Sequence, residues 1–145
     1  IDTSVIGGSF DEEFEIFSLK IFERIQQGKI IGVFSQITIN ELINAPKKVN
    51  DLFASLPETN RIILPVTDEA ISLSEKYLSK KIISTNYRED ALHIAIATVS
   101  AVDILISWNF KHIVNYNRIN LFNAVNLEEG YKMLEIRSPR EIFYD

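Results

Sequence analysis

The sequence predicts an α/β fold, a central and mostly parallel sheet with helices on both faces in a three-layer α/β/α arrangement. Three observations predict it. Short apolar runs alternate with segments of helical periodicity along the whole chain, the order expected when crossover helices join parallel strands. From Asp90 to about Val102, small and apolar residues (Ala91, Leu92, Ile94, Ala95, Ile96, Ala97, Val99, Ala101) lie nearly all round the predicted helix, the pattern of a helix buried against a sheet. Ile104-Leu105-Ile106 then forms a short apolar run, which reads as a buried parallel strand.

Taken in order, Ile1 to Val5 is expected to end a first strand that begins upstream of Ile1, and Gly7-Gly8 to break it. Ser9-Phe10-Asp11-Glu12 has the spacing of a capping box, and Phe14, Phe17, Leu19, Ile21, Phe22 and Ile25 carry an apolar face through a helix stopped by Gly28. Ile30 to Phe34 reads as a second strand. Ser35 or Thr38 starts a short helix through Glu41, Leu42 and Ile43 that Pro46 limits, and Val49 to Leu56 is a further helical segment before Pro57. Arg61 to Val66 is a third strand, and Thr67 caps a helix over Ile71, Leu73, Tyr77 and Leu78. After the central helix and strand come an asparagine-rich segment, a helix around Leu121 to Gly130 and a strand at Met133 to Arg137. No internal repeat or linker interrupts this order, so residues 1–145 form one domain.

Composition narrows the function classes. The chain has 145 residues, 46% of them hydrophobic, enough for an ordinary globular core. No apolar run approaches the ~18 residues of a membrane span, so a cytoplasmic protein with no membrane partner is the expectation. With no cysteine, disulfides and thiolate metal sites are excluded, and carboxylates, two histidines and carbonyls are the available ligands. A formal charge of −5 argues against polyanion binding by charge alone.

The polar residues converge. About 11 helical residues out and five strand residues back each cover roughly 17 Å, so Asp90 and the Ser107-Trp108-Asn109 corner return to the same sheet edge. In a right-handed unit this is the carboxyl edge, where open sheets bind ligands. Asp2 at the end of the first strand and Glu41 in the helix after the second are expected there too. Three acids at one edge repel one another unless a cation neutralises them. Hard oxygen donors suit Mg²⁺ or Mn²⁺, which implies metal-assisted hydrolysis of a phosphodiester.

Four pieces, in this order, carry a family resemblance: Ile1-Asp2-Thr3-Ser4, Ile39-Asn40-Glu41-Leu42, Asp90-Ala91-Leu92-His93-Ile94-Ala95 and Leu105-Ile106-Ser107-Trp108-Asn109. Together they resemble the PIN-domain proteins, the nuclease fold that includes the toxin half of VapBC toxin–antitoxin pairs. The resemblance implies Mg²⁺ or Mn²⁺ dependence and endonuclease activity on single-stranded RNA, with a small antitoxin protein and a homodimer among the partners. It carries the family's acids over to Asp2, Glu41 and Asp90 and its small hydroxyl residue to Ser4 or Thr3. The fourth acidic position falls on Asn109, which can ligate through oxygen but brings no charge. Ser107 and His93 are expected in support, and Arg88 and Lys111 at the substrate phosphates.

Each residue also has a plainer reading. Glu41 can close a capping box with Thr38, Asp90 can serve the helix dipole, and His93 and His112 can be structural and loop residues. Trp108 can stack on a base or pack in the core. Asp103 is charged but brackets Ile104 to Ile106 at the other end, roughly 20 Å from Asn109, and is expected outside the site. The alternative functions are a catalytically silent PIN-like binding module and a flavodoxin-like phosphate binder. The second is disfavoured because Ser4 to Phe10 has adjacent glycines without phosphate-loop spacing.

Overall fold

A computed structural model of the chain describes residues 1–143. It is an α/β protein in which, among the described residues, eight α-helices surround short parallel strands: α1 (Thr3–Gly8), α2 (Glu15–Gln26), β1 (Gly32–Ser35), α3 (Gln36–Leu42), α4 (Lys47–Ala54), β2 (Arg61–Leu64), α5 (Asp68–Ser79), α6 (Arg88–Val99), β3 (Leu105–Ile106), α7 (Tyr116–Glu128), β4 (Ile136–Arg137) and α8 (Pro139–Ile142). The strands form two parallel ladders, β1 with β2 and β3 with β4. Ile1 and Asp2 lie between them, the Ile1 nitrogen donating to Val33 O at 2.9 Å and the Asp2 amide to Ile106 O at 3.2 Å.

The first element departs from expectation. Ile1 to Val5 is not a strand; the backbone is extended at Asp2 and turns helical at Thr3. Val5 and Ile6 are both fully buried, and a short apolar run of this kind does not distinguish strand from helix by periodicity. The helical turn brings the Ser4 hydroxyl back onto the Asp2 carboxylate, a contact an extended chain could not make. The Ser9 capping box is also absent: α2 begins six residues later, after turns closed on Asp11, with Phe14 at its N-cap. Leu19 is exposed while Ile21, Phe22 and Ile25 are buried.

Other boundaries follow local chemistry. Ser35 caps α3 by accepting from the Thr38 amide, and Thr67 caps α5 by accepting from the Ala70 amide. Helix α2 ends at Gly28, whose φ of +72° allows Lys29 N to reach Arg24 O and Gly28 N to reach Ile25 O. Helix α6 ends in the same way at Ala101, where a φ of +51° strains a residue with a Cβ.

The core has two parts, one around α5, α6 and α7 with Leu105, the other around α1, α2 and α4 with Ile106 and Trp108. Successive residues of β3 thus face opposite clusters, as strand geometry requires. A cleft of about 630 Å³ opens between the ladders, lined by Ile31, Val33, Asp103 and Ile104. No helix among the described residues is long and apolar enough to cross a membrane.

Candidate active site

Asp2 is the most enclosed acid of the site, 5% exposed. An isolated buried carboxylate is costly, and two hydroxyls meet that cost: Ser4 Oγ donates to Oδ1 at 2.5 Å and Ser107 Oγ to Oδ2 at 2.8 Å. Those hydroxyls accept in turn from backbone amides, Ser4 from Trp108 N and Ser107 from Asn109 N, each at 2.9 Å. Two polarised chains of hydrogen bonds therefore fix the carboxylate to the corner after β3. Ser4 and Ser107, expected in support, are the groups that hold Asp2.

Glu41 is near the end of α3, and its Oε1 lies 3.1 Å from His93 Nε2 on α6. Burial pushes its pKa up, but hydrogen bonds from His93 and Thr3 and the histidine's charge outweigh this and hold it below the usual value. Thr3 Oγ1 also lies 3.4 Å from Thr38 Oγ1. Glu41 closes no capping box, since Ser35 alone caps α3.

Asp90 sits in the first turn of α6. Its pKa is raised, chiefly by burial and further by the Asp2 charge, against the opposing pull of His112, His93 and an Asn109 hydrogen bond. Asp2, Asp90, His93 and Asn109 are thus electrostatic neighbours, and Glu41 joins them through His93. Among the described residues no group of three or more His, Cys, Asp or Glu side chains is placed to hold a metal ion.

Asn109 differs from expectation. Its Oδ1 accepts from the His112 amide at 2.9 Å, which leaves the amide NH₂ as the group through which Asn109 lowers the Asp90 pKa. It therefore supplies a donor to Asp90 where the family resemblance implied an oxygen ligand. The expectation for Arg88 also needs correction, because its guanidinium pairs with Glu75 of α5 on the exposed surface. Lys111 stands with its Nζ 5.8 Å from the centre of the Tyr87 ring. Asp103 is exposed and lines the cleft with Ile31 and Ile104, away from the three acids, as strand length required. Trp108 is core: it stacks on Phe14 at 4.3 Å and donates to Ser18 Oγ at 2.8 Å.

The sequence reading takes His112 as a loop residue and misses Arg118. His112 is buried, 3.8 Å from Tyr87 between ring centres, and its Nδ1 lies 2.9 Å from Arg118 Nη1. A guanidinium only donates, so Nδ1 accepts and the ring proton sits on Nε2. Burial lowers the His112 pKa, Arg118 and Lys111 lower it further, and Asp90 opposes them. The overlooked signal was Asn115, which caps α7 by accepting from the Arg118 amide. Starting that helix at Leu121 leaves Arg118 in a loop, whereas starting it at Tyr116 returns Arg118 to the strand-end corner.

Carboxylates without sulfur are the donor type a hard divalent cation takes, and burial and a like charge disfavour the ionisation of Asp90. No protein-family model, curated protein or solved structure matches the chain.

Proposed function

We propose that the chain is a PIN-like, metal-dependent endoribonuclease that hydrolyses phosphodiester bonds of single-stranded RNA. The observation that carries this reading is that three acids far apart in sequence gather along the N-terminal half of α6: Asp90 starts it, the Asp2 charge raises the Asp90 pKa, and His93, one turn on, holds Glu41 at 3.1 Å. The fold reading that goes with it takes Ile1–Asp2 as a central strand between β1 and β3, the middle of one sheet in an α/β/α sandwich. Its support is the pair of hydrogen bonds from those residues to both ladders.

In this reading Asp2, Glu41 and Asp90 hold Mg²⁺ or Mn²⁺. Such a cation, when bound, lowers the pKa of a water molecule and shields charge on the phosphoryl oxygens. Ser4 and Ser107 hold the Asp2 carboxylate in place. His93 orients Glu41, and Asn109 steadies Asp90 by donating to it. No side chain is needed as a covalent nucleophile. A small antitoxin partner, a homodimer and a cytoplasmic setting belong to the same proposal.

The test is cleavage of single-stranded RNA by purified protein with Mn²⁺ or Mg²⁺, with and without chelator. Metal-dependent cleavage that chelator stops supports the reading, and cleavage that resists chelator contradicts it. The second reading is a silent PIN-like binding module. Specific observations favour it: both Asp2 oxygens are already hydrogen bonded and the Asn109 oxygen is engaged by a backbone amide. Binding of RNA without cleavage under either metal would select it.

A further inference from the structure

Beside the three acids lies a cluster of opposite character. Among the described residues no carboxylate pairs with Arg118 or Lys111, although Arg88, Arg137, Lys76 and Lys80 all have acidic partners. Arg118 is half-buried, so its charge has surrendered part of its hydration without gaining a counter-ion. Its one side-chain partner among the described residues is the neutral acceptor His112 Nδ1 at 2.9 Å, which leaves most of its N–H groups unspent there. Two faces meet here: His112 is close enough to Asp90 for each to shift the other's pKa, and Tyr87, one turn ahead of Asp90, packs on the His112 ring while remaining 39% exposed. Lys111 Nζ stands over the Tyr87 ring at 5.8 Å.

An anion-accepting fork and a partly open aromatic face next to a carboxylate cluster are what a nucleotide needs, the fork for phosphate and the ring for a base. We infer that Arg118, positioned by His112, and Tyr87 form a subsite that takes the phosphate and base of single-stranded RNA next to the bond to be cut, with Lys111 as a second phosphate contact. The subsite rests on the ribonuclease reading for its substrate and places the RNA strand along the α6–α7 side of the acids. Its cations also answer how a chain of net charge −5 holds a polyanion: the positive charge is local.

The test is fluorescence anisotropy of a short labelled single-stranded RNA with the full chain in chelator, where it binds without being cut, repeated over a range of salt. Arg118→Ala is expected to weaken binding about tenfold and to flatten the slope of log K against log salt by about 0.7, the value of one phosphate contact on a single strand. Tyr87→Ala should weaken binding roughly five- to hundredfold with little change of slope, while Tyr87→Phe binds like wild type. Arg118→Lys should keep the slope and lose affinity, because the charge stays and the fork goes. Lys29→Ala, an equal charge change lining the distant cleft, should leave binding unchanged. If an alanine variant melts below the assay temperature, the lysine and phenylalanine variants carry the test, and a flattened slope in Arg118→Lys or lost affinity in Tyr87→Phe overturns the assignment. Wild-type affinity and slope in both alanine variants, or an equal loss in Lys29→Ala, overturns the subsite and leaves the ribonuclease reading standing. Wild-type protein that neither binds nor cleaves RNA overturns both.

Discussion

Asn109 stands beside Asp90, the acid of this site whose pKa burial raises, and its side-chain amide draws that pKa back down. Its oxygen meanwhile closes a turn by accepting from the His112 amide at 2.9 Å. The fourth position therefore does two jobs that an aspartate would do differently. Asn109→Asp keeps the turn but sets a second carboxylate against Asp90. Metal-free stability should fall and the response to Mn²⁺ should grow, with cleavage kept or raised. Asn109→Ala loses the turn and should cost about 1 kcal/mol with reduced cleavage. Urea unfolding with and without Mn²⁺ checks both.

The three acids should separate in the metal-free protein. Asp90→Asn removes a charge that burial and Asp2 disfavour, so the melting temperature should hold or rise while cleavage is lost. Asp2→Asn sets an NH₂ against a serine hydroxyl that already accepts from a backbone amide, and should cost about 1–3 kcal/mol. Glu41→Gln weakens the contact with His93 and should also destabilise. A drop of equal size in all three would mean that Asp90 is a structural partner like the others.

The pH dependence of metal-free stability follows from the same shifts. Glu41 has a lowered pKa, so its contribution is present above the ordinary 4.5 and lost as pH falls through the lower folded value. Asp90 has a raised pKa, so the fold loses stability as pH rises from the ordinary 3.8 through the higher folded value. Comparing denaturation curves across this range, Glu41→Gln should remove the acid-side loss and Asp90→Asn the loss on the other side. The reverse assignment would refute both electrostatic environments.

Much of this site was legible in the chain because strand and helix lengths are fixed by backbone geometry. The matched reach of α6 and β3 put Asp90 and Asn109 at one edge and Asp103 at the other, and the structure agrees. What was hidden depended on how buried segments resolve. Val5 and Ile6 satisfy a strand or a helix equally, so α1 was read as strand, although the Ser4 contact to Asp2 depends on the helix. The fourth-position asparagine was recognised, but its amide orientation is set by the His112 turn, which no spacing rule shows. Arg118 was missed with the true start of α7. The ordered set of motifs suggests a family, and that reading is a proposal.

Gly8 links the first helix to the strand-end corner. A Cβ there would stand 2.7 Å from Trp108 Nε1 and 2.8 Å from Ser18 Oγ, two atoms that are hydrogen bonded to each other. Gly8→Ala should destabilise by about 1–3 kcal/mol through overpacking. Trp108 is the only tryptophan, so a shift of its emission in the folded state reports the displacement, and an unchanged spectrum and stability would show that the corner yields.

The central claim is that Asp2, Glu41 and Asp90 hold a divalent cation, and the most direct measurement is the melting temperature of chelator-stripped protein titrated with Mn²⁺. Saturation at about 100 times Kd should raise the wild-type Tm by roughly 5–10 °C. Asp103→Asn should respond like wild type, and Asp90→Asn should lose the response. A wild-type Tm that Mn²⁺ leaves unmoved, or an equal rise in Asp90→Asn, would contradict the account.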